Sequence, residues 1–359
     1  MPEGTRILAV NPGGMTTKIA VHEAGAEVFV RSIEHSPEEL KSFKGVADQL
    51  EYRLEAVRSA LSDEGLLDRP FDAVVGRGGL FRPIPSGTYE VNEEMLEDAR
   101  VGYAGQHASN LGALIAHELA RSVGGRAFVV DPVCVDEFEP LARYSGHPDI
   151  ERKSLIHALN IKATARRAAE KLGRPLDSMN LIVAHLGSGI SISPLRRGRM
   201  IDVNNALSGG PFSPERTGAL PLIEMFDFMI EKDYGPARMK RFIAKEGGLV
   251  AYLGTNSFRE VEERVETGDG PAREVLEAMA YQTSKEIGAM AAVLSGDVQA
   301  VVLTGALVRY GRFAEMVRER VAFIADVLLL PGENELHSLT EGALAVLEGR
   351  EPSKSYPLG

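Results

Sequence analysis

Short apolar runs and longer amphipathic segments alternate along the first half of the chain. The runs end at glycine, proline or polar positions, which is typical of buried strands. They predict strands over 6–10, 18–22, 28–31, 72–75 and 127–131. The segments between them predict helices over about 37–61 and 110–123, the first starting at a Ser-Pro-Glu-Glu sequence that suits a helix N-terminus. This alternation predicts an α/β fold.

The second half repeats the alternation and adds a longer helical region. It predicts strands over 180–185, 190–193, 199–203, 300–303 and 327–330. It predicts helices over about 154–172, 218–231, 235–245, 258–267, 271–294 and 338–347. A chain of 359 residues is expected to form about two domains, at roughly 150 residues each. The restart of the pattern near the middle of the chain agrees with that number.

One local design occurs twice, about half a chain apart. In 7–13 and in 182–187 an apolar strand ends in a polar residue, Asn11 or His185, and a glycine follows two positions later. A second strand then returns. The repetition favours two domains related by duplication, although single strand–glycine–strand hairpins also arise by chance.

The charge balance is acidic, with 40 Lys and Arg against 51 Asp and Glu and a net charge of −11. This balance argues against a general nucleic-acid-binding protein, which needs a basic surface, but it leaves anionic small substrates open. The single cysteine, Cys134, excludes a disulfide framework within the chain, and we expect it to be a small buried side chain. No segment predicts a secretory signal or a bilayer-spanning helix, so the expected location is the cytoplasm.

Glycine-containing turns follow three of the predicted strands, at 11–14, at 187–189 and at Gly305. Glycine lets the backbone approach an anion, and Thr16, Thr17 and Lys18 add hydroxyl groups and an ammonium group after the first turn. Taken singly, each turn is better explained as a hairpin connection. Three of them, spread over both halves, favour a nucleotide site. The P-loop and dinucleotide-binding motifs are absent from the sequence.

Arginine and histidine side chains occur beside glycine and proline at other predicted loops. Arg77 follows a predicted strand within 76–79, and Arg216 lies in the loop 213–218 before a helix. His107 and His157 lie in two further polar segments. Taken singly, a surface ion pair explains each arginine and a satisfied helix position explains His157. Guanidinium groups also suit carboxylate and phosphoryl groups, so these residues are candidates for binding an anionic substrate.

Together these residues resemble the acetate and butyrate kinases of the actin, sugar-kinase and Hsp70 superfamily. The resembling segments extend over nearly the whole chain and are 10–18, 75–80, 107–112, 130–133, 145–148, 152–160, 184–191, 202–207, 210–218 and 247–255. As a set they are similar to the butyrate kinase branch. The resemblance implies two duplicated ribonuclease H-like (actin-like ATPase) domains with an interdomain cleft. It implies an N-terminal domain of residues 1–152 and 340–359 and a nucleotide-binding C-terminal domain of residues 153–339.

The resemblance also implies a reaction, ATP + butyrate ⇌ ADP + butyryl phosphate, with branched short-chain acids as further substrates. Acetate or propionate kinase activity, or another kinase of the superfamily, is the enzymatic alternative. An actin-like or Hsp70-like ATPase is the non-enzymatic alternative. The implied cofactors are ATP or ADP and Mg²⁺, and the implied assembly is a homodimer or a larger homo-oligomer. No membrane or nucleic-acid partner is expected.

Residue roles are implied only for positions that match the family's motifs. The implied catalytic residues are Asn11, Arg77, His107, Asp131, His157 and Arg216. The implied nucleotide-binding residues are Gly13, Thr16, Thr17, Lys18, His185, Gly187, Ser188, Gly189, Thr304 and Gly305. Asp131 and Glu335 are the implied Mg²⁺ carboxylates, with Glu333 as the alternative to Glu335. Met15 and Ala306 depart from the family pattern, and we expect them to affect nucleotide affinity rather than the reaction.

Overall fold

The computed structural model describes residues 4–357 and divides into two compact units. Unit 1 comprises Met1–Asp136 and Asn334–Gly359, and unit 2 comprises Glu137–Glu333. The first boundary falls after 136 rather than after the expected 152, because the intervening segment is bonded within unit 2. The Glu139 amide donates to the Ile201 carbonyl at 3.0 Å, and Arg152 forms an ion pair with Asp202 at 2.8 Å. The second boundary falls after 333 rather than 339, just before the last helix begins.

Strands and helices alternate in both units. The strands are β1 (Arg6–Pro12), β2 (Thr16–Glu23), β3 (Ala26–Glu34), β4 (Ala73–Arg77), β5 (Thr88–Glu90), β6 (Arg126–Val130), β7 (Asn180–Leu186), β8 (Ile190–Arg196), β9 (Arg199–Met200), β10 (Ala300–Gly305), β11 (Val327–Pro331) and β12 (Lys354–Ser355). The helices are α1 (Pro37–Ser42), α2 (Leu50–Ser62), α3 (Glu93–Val101), α4 (Asn110–Val123), α5 (Ala158–Leu172), α6 (Leu222–Glu231), α7 (Pro236–Lys245), α8 (Gly248–Leu253), α9 (Phe258–Glu266), α10 (Gly270–Val293), α11 (Gly311–Val321) and α12 (Glu335–Leu347).

A seven-stranded sheet forms the centre of unit 1, in the order β12-β5-β6-β4-β1-β2-β3. β1 pairs antiparallel with β2 and in parallel with β4. Leu8 and Val10 of β1 face the apolar core that the sheet shares with α2 and α4. The opposite face of the same hairpin carries Asn11 and lies against α12. The two faces of the first hairpin therefore have different neighbours. The face on which a side chain lies decides whether it meets the apolar core or α12.

Two glycines let α4 lie directly against β4. A Cβ on Gly76 would lie 2.0 Å from the Gly112 carbonyl oxygen, and a Cβ on Gly112 would lie 2.0 Å from the Arg77 carbonyl oxygen. Any side chain at either position would have to displace backbone atoms. This close approach fixes the end of β4, from which the Arg77 side chain extends.

A five-stranded sheet forms the centre of unit 2, in the order β11-β10-β7-β8-β9. β7 pairs antiparallel with β8 and in parallel with β10. One face of β7, with Ile182 and Ala184, belongs to an apolar core that includes Leu276 of α10 and Phe313 of α11. The other face carries His185 and lies against α5. As in unit 1, a polar residue ends the strand on the face away from the larger apolar core.

Most of the predicted elements are present, with differences at their ends. The helix predicted over 37–61 is interrupted between α1 and α2, where Phe43 has an extended backbone conformation. The helix predicted from 154 begins at Ala158, and the strand predicted over 199–203 ends at Met200. The elements without a prediction are β5, β12, α3, α8 and α11.

The structure also describes the surroundings of the single cysteine and the length and polarity of the helices. The expected burial of Cys134 is confirmed, and this burial raises the pKa of its thiol to about 12. Across residues 4–357, no helix is both long and apolar enough to cross a membrane.

Candidate active site

Three polar side chains of unit 1 meet where β1 and β4 end. Arg77 Nη1 lies 2.6 Å from Glu335 Oε1 and 3.4 Å from Asn11 Oδ1. Asn11 Nδ2 donates to Glu335 Oε2 at 2.5 Å. β1 and β4 are parallel neighbours, so their carboxyl ends lie at the same edge of the sheet, and α12 begins there with Glu335. The structure thus brings together three residues that were selected separately from the sequence.

The two carboxylates considered for Mg²⁺ have different partners. Both oxygens of Glu335 are bonded, one to Arg77 and one to Asn11. Glu333 Oε1 instead lies 3.3 Å from His185 Nε2 in unit 2. With one contact on each of its oxygens, Glu335 orients Arg77 and Asn11. Its role as a Mg²⁺ carboxylate stays a prediction. Within residues 4–357, no group of three or more His, Cys, Asp and Glu side chains is placed to hold a metal ion.

Asp131 follows β6 and has one bonded oxygen and one unbonded oxygen. Its Oδ1 accepts hydrogen bonds from Ser86 Oγ at 2.6 Å and from the Gly87 amide at 2.8 Å. Its Oδ2 is buried and has no hydrogen-bond partner in the described part of the chain. The backbone φ of 39° is unusual for a residue other than glycine. A buried carboxylate oxygen without a partner is costly, so this atom is a candidate contact for a cation or a ligand donor.

His107 lies just before α4 and is held by Ser109. Its Nδ1 lies 2.7 Å from Ser109 Oγ and accepts the Ser109 amide proton at 3.2 Å. Because Nδ1 is an acceptor, the proton of the neutral ring lies on Nε2. The His107 side chain is exposed, and its Nδ1 contacts fix the orientation of the ring.

The first glycine turn connects β1 to β2. The Gly13 amide donates to the Thr16 carbonyl at 2.7 Å and closes the turn. Lys18 is exposed and is paired with Asn11 in the β1–β2 register, so these two side chains lie on the same face of the sheet. For Gly13, Thr16 and Lys18, contact with a nucleotide stays a prediction.

Thr17 points to the opposite face of β2 and departs from its expected role. Its side chain is completely buried, and Oγ1 accepts a hydrogen bond from Arg53 at 3.1 Å. The same oxygen lies 2.8 Å from His35 Nε2. The expectation that the Thr17 hydroxyl lines a phosphate does not hold, because successive strand residues point to opposite faces.

Two histidines are stacked in unit 2, with ring centroids 4.1 Å apart and an interplanar angle of 18°. His157 lies at the N-terminal end of α5, and its Nδ1 is 2.8 Å from Ser191 Oγ. His185 lies in β7, and its Nδ1 is 2.8 Å from Asn160 Oδ1. Each ring is therefore held by a partner on a different element, which fixes the orientation of the pair.

The second glycine turn connects β7 to β8 and lies beside Arg216. The Gly187 amide donates to the Gly189 carbonyl at 3.2 Å, and Ser213 Oγ donates to the Ser188 carbonyl at 2.6 Å. A Cβ on Gly189 would lie 2.3 Å from Arg216 Nη1. The absence of a side chain at Gly189 therefore provides the space that the guanidinium group occupies.

The Arg216 guanidinium is partly buried and has few protein partners. Its Nη1 donates to the Ala206 carbonyl at 2.6 Å. No carboxylate oxygen of the described residues lies within 4.0 Å of its nitrogen atoms. Burial lowers the pKa of the guanidinium group, but an arginine remains charged at neutral pH. Arg216 therefore presents a positive charge and hydrogen-bond donors that are available to a ligand.

The third glycine turn, after β10, requires glycine at position 305. Gly305 has a φ of +97°, and a Cβ there would lie 2.3 Å from the Leu186 carbonyl oxygen. Thr304 is completely buried, and its Oγ1 lies 3.3 Å from Thr164 Oγ1 and 3.3 Å from the Gly332 carbonyl oxygen. The Thr304 hydroxyl thus contacts the interior of unit 2 rather than an open site, contrary to the expectation. Ala306 is exposed.

Four residues that hydrogen-bond to the predicted site residues or to the glycine turns were not predicted from the sequence. They are Arg53, Asn160, Ser191 and Ser213. A signal was present for Arg53, because it is spaced four residues from Val57 and eight from Leu61, both completely buried on α2. A charged residue within an apolar helix stripe indicates a buried polar contact. The serine and asparagine contacts join distant segments and had no such signal.

Comparison with solved structures defines the class of fold. The chain is similar to an acetate kinase from Porphyromonas gingivalis, with a TM-score of 0.78, 18% identity and coverage of 96% of this chain and 100% of that chain. It is also similar to a propionate kinase from Francisella tularensis subsp. tularensis SCHU S4, with a TM-score of 0.73, 18% identity and coverage of 94% and 98%. At this identity the likeness shows the fold alone, and the predicted α/β fold is confirmed.

Sequence comparison defines the family. The acetokinase family model matches residues 149–349. A protein named probable butyrate kinase 2, from Caldanaerobacter subterraneus subsp. tengcongensis, is 48% identical over 351 residues, which cover 98% of this chain and 99% of that protein. The chain belongs to the acetokinase family, and it is a phosphotransferase with a carboxyl group as acceptor. The resemblance inferred from the motifs is confirmed.

Proposed function

We propose that the chain transfers the γ-phosphoryl group of ATP to butyrate, or to a branched short-chain acid such as isobutyrate. The products of this reversible reaction are an acyl phosphate and ADP. The observation that carries the choice of acid is the 48% identity to probable butyrate kinase 2 over 98% of the chain. Acetate or propionate as the preferred acid is the alternative. The cytoplasmic location expected from the sequence stays a prediction.

The proposed acceptor needs no general base. A carboxylic acid with a pKa of about 4–5 is already ionised at neutral pH. The reaction instead brings an anionic nucleophile to a polyanion, so it depends on positioning and on neutralisation of charge. We assign Arg216 to the oxygens of the transferring phosphoryl group, because its charged guanidinium is held at the Ala206 carbonyl and has further donors for a ligand.

We assign His157 to donate a hydrogen bond to the same phosphoryl group. Ser191 Oγ accepts the His157 backbone amide at 3.4 Å and lies 2.8 Å from Nδ1, and we assign the serine hydroxyl proton to Nδ1. The ring proton of neutral His157 is then on Nε2. Stacking on His185 keeps the ring in this orientation.

We assign Arg77 to the carboxylate of the acid. Its Nη1 is bonded to Glu335 and faces Asn11, which fixes one side of the guanidinium group. For Nη2, residues 4–357 supply no hydrogen-bond acceptor. A planar group fixed on one side and open on the other suits a carboxylate. In this assignment unit 1 binds the acid, carries His107 as a second active-site histidine and supplies the first phosphate-binding turn, and unit 2 binds the rest of the nucleotide.

Asp131 is the residue that best fits a magnesium ion. Its buried Oδ2 is without a partner in the described chain, as expected for an atom whose partner is a ligand. Mg²⁺ keeps several waters and is shared with substrate phosphates, so one protein carboxylate can be sufficient. When bound, Mg²⁺ would neutralise charge on the phosphate oxygens. Asp131 would hold it directly or through a water molecule.

The proposed assembly is a homo-oligomer that uses α6. None of the ten residues in this described helix is buried, and Leu222, Ile223, Phe226 and Ile230 are 53–74% exposed. A cluster of large apolar side chains on one helix is typical of a protein interface. Light scattering is expected to give a dimer or larger species, and Phe226→Asp with Ile230→Asp is expected to give a monomer. A wild-type monomer would contradict this part of the proposal.

Trapping of acyl phosphate with hydroxylamine tests the proposed reaction. The purified chain is incubated with ATP, Mg²⁺ and acetate, propionate, butyrate or isobutyrate, each in turn. The expected result is the highest kcat/KM with butyrate or isobutyrate, no product without an acid, and product formation slower on the order of 10³-fold or more with Arg216→Ala. A higher kcat/KM with acetate or propionate would establish the alternative. Turnover of none of the acids would reject a short-chain carboxylate kinase.

A further inference from the structure

Arg53 of α2 lies beneath the first glycine turn and is bonded to most of its carbonyl groups. The side chain is only 1% exposed. Its Nη1 donates to the Gly13 carbonyl at 2.9 Å and to the Thr16 carbonyl at 3.0 Å, and its Nη2 donates to the Gly14 carbonyl at 3.0 Å. Its Nε donates to Gln49 Oε1 at 3.1 Å, which fixes the guanidinium plane. One side chain therefore determines where the carbonyls of a four-residue turn point.

Within the described part of the chain, the hydrogen-bond partners of Arg53 are all neutral: three backbone carbonyls, the Gln49 amide oxygen and the Thr17 hydroxyl. No carboxylate oxygen of the described residues lies within 4.0 Å of its guanidinium nitrogens. A buried charge without a counter-ion is expensive, and an apolar side chain would pack on α2 without that cost. The arrangement therefore places an uncompensated positive charge directly under the turn, where it favours an anion on the other side.

The amide groups of the same turn are left for another partner. The carbonyls of Gly13, Gly14 and Thr16 are bonded to Arg53, and the Gly13 amide is bonded to the Thr16 carbonyl. Residues 4–357 supply no acceptor for the amides of Gly14 and Met15, and both residues are exposed. Successive free amides in a turn form a concave site for an anion.

A second contact holds the turn on the same buried side. The His35 amide donates to the Met15 carbonyl at 2.9 Å, and its ring Nε2 lies 2.8 Å from Thr17 Oγ1. Thr17 Oγ1 also accepts from Arg53 Nη1 at 3.1 Å. The four carbonyls from Gly13 to Thr16 are therefore all bonded towards the interior.

We propose that Arg53 is a positioning residue for nucleotide binding: it holds the carbonyls of the first turn inward so that the amides of Gly14 and Met15 face a phosphate group of ATP. This inference rests on the proposed ATP-dependent reaction. Arg53 does not touch the nucleotide itself. It acts through the turn backbone and through the charge that it adds beneath it.

Kinetics of Arg53→Met test the proposal. Methionine keeps an unbranched apolar stem but removes every donor and the charge. The KM for ATP is expected to rise about ten-fold or more, since hydrogen bonds from a charged group are each worth a factor of about ten or more. The KM for butyrate is expected to change less than about three-fold. Arg53→Lys, which keeps the charge without the planar fork, is expected to recover part of the ATP affinity.

Arg58→Met is the matched control on the same helix, because Arg58 is only half-buried and makes no hydrogen bond to the turn. Its KM for ATP is expected to equal that of the wild type. If Arg53→Met does not fold, Thr17→Val removes one contact of the same cluster and is expected to raise the KM for ATP about three-fold. A folded Arg53→Met protein whose KM for ATP stays within about two-fold of the wild type would overturn the proposal. A drop in thermal stability alone would overturn it too.

Calorimetric titration with Mg-ATP separates this inference from the proposed function. If the wild type binds Mg-ATP but phosphorylates no acid, the proposed function fails, and weaker binding by Arg53→Met still supports the positioning role. If Arg53→Met binds Mg-ATP as tightly as the wild type, the positioning role fails whatever the acid. If the wild type itself does not bind Mg-ATP, both fail.

Discussion

The two glycine turns that follow β1 and β7 share a design but use an arginine in opposite ways. In both, an apolar strand ends in a polar residue and an antiparallel strand returns. Beneath the first turn, Arg53 is 1% exposed and donates to the carbonyls of Gly13, Gly14 and Thr16. Beside the second turn, Arg216 is half-buried and donates to the Ala206 carbonyl. The Arg53 guanidinium is hydrogen-bonded within the protein, whereas the Arg216 guanidinium keeps donors available for the proposed ligand.

The difference shows how to distinguish a positioning arginine from a ligand-binding one. A guanidinium group has five donors. When most of them meet backbone carbonyls in a buried layer, the group determines backbone geometry. When one donor anchors the group and a glycine leaves space for it, as Gly189 does for Arg216, the remaining donors are available for the proposed ligand. Replacement of the two arginines is therefore expected to change different kinetic constants: kcat for Arg216 and the KM for ATP for Arg53.

The largest expected effect is that of Arg216→Ala on the rate of phosphoryl transfer. Its kcat is expected to fall on the order of 10³-fold or more, because an arginine that neutralises the transferring phosphoryl group acts mainly in the transition state. Steady-state kinetics with saturating ATP and butyrate measure it. Arg53→Met is the comparison, with its main effect expected on the KM for ATP. If Arg216→Ala changed only the KM for ATP, the distinction between the two arginines would be lost.

Gly189→Ala is expected to reproduce part of the loss of kcat predicted for Arg216→Ala, although Arg216 itself is kept. The added Cβ would lie 2.3 Å from Nη1, and the guanidinium group must move because it is the mobile end of a side chain. We expect kcat to fall about 10- to 100-fold, since a misplacement of about 1 Å can cost that much. Thermal unfolding is expected to change little.

Gly288→Ala is the matched control for Gly189→Ala. A Cβ on Gly288 in α10 would meet no atom within 4 Å, and the helix gains from alanine. Its kcat is expected to equal that of the wild type. A Gly189→Ala enzyme with wild-type kcat would show that the position of Arg216 is not critical.

Much of the fold and part of the site were predictable from local patterns. The bounds of α4, Asn110–Val123, match the prediction, and the helix ends at Gly124 as glycine favours. α11 was missed although Phe313, Val317 and Val321 carry a helical spacing, so the signal was present there. The glycine turns were predictable because each combines an apolar strand and a glycine within one short segment.

The residues that hydrogen-bond to the site residues and turns were not predictable, because their contacts join segments that are distant in the sequence. The Ser191 hydroxyl contacts a histidine 34 positions earlier, and Arg53 contacts carbonyls 37 to 40 positions earlier. Thr17 and Thr304 were misjudged for a related reason. Both lie next to a glycine turn in sequence, but the alternation of side chains along a strand points them into the interior.

Ser191→Ala is expected to have a smaller effect than either change at the second turn. It removes the hydroxyl 2.8 Å from His157 Nδ1, so the ring is no longer fixed with its proton on Nε2. We expect kcat to fall about ten-fold, because one hydrogen bond contributes about 0.5–1.5 kcal/mol and about 1.4 kcal/mol is ten-fold in rate. The pH dependence of kcat is also expected to change. Ser193→Ala, a buried serine of the same strand that donates to the Asp202 carbonyl, is the control and is expected to keep the wild-type pH profile.

The smallest expected effect concerns the buried side of the first turn and is one of stability. Burial, together with the charge of Arg53, lowers the pKa of His35 to about 4. The unfolded chain has a histidine pKa of about 6.5, so it binds more protons than the folded chain between these two values. The free energy of unfolding therefore falls as the pH decreases from about 6.5 towards 4. His35→Gln keeps an amide that can reach Thr17 but does not titrate.

Urea unfolding at about pH 7.5 and about pH 5 measures this difference. The wild type is expected to lose about 1 kcal/mol more stability than His35→Gln over this interval, after allowance for solvent screening. Groups that titrate elsewhere in the chain cancel in the comparison. Parallel losses in the two proteins would mean that His35 is not held neutral beside Arg53. The cluster beneath the first turn would then accept a protonated His35 beside Arg53. The positive charge under the turn would in that case not come from Arg53 alone.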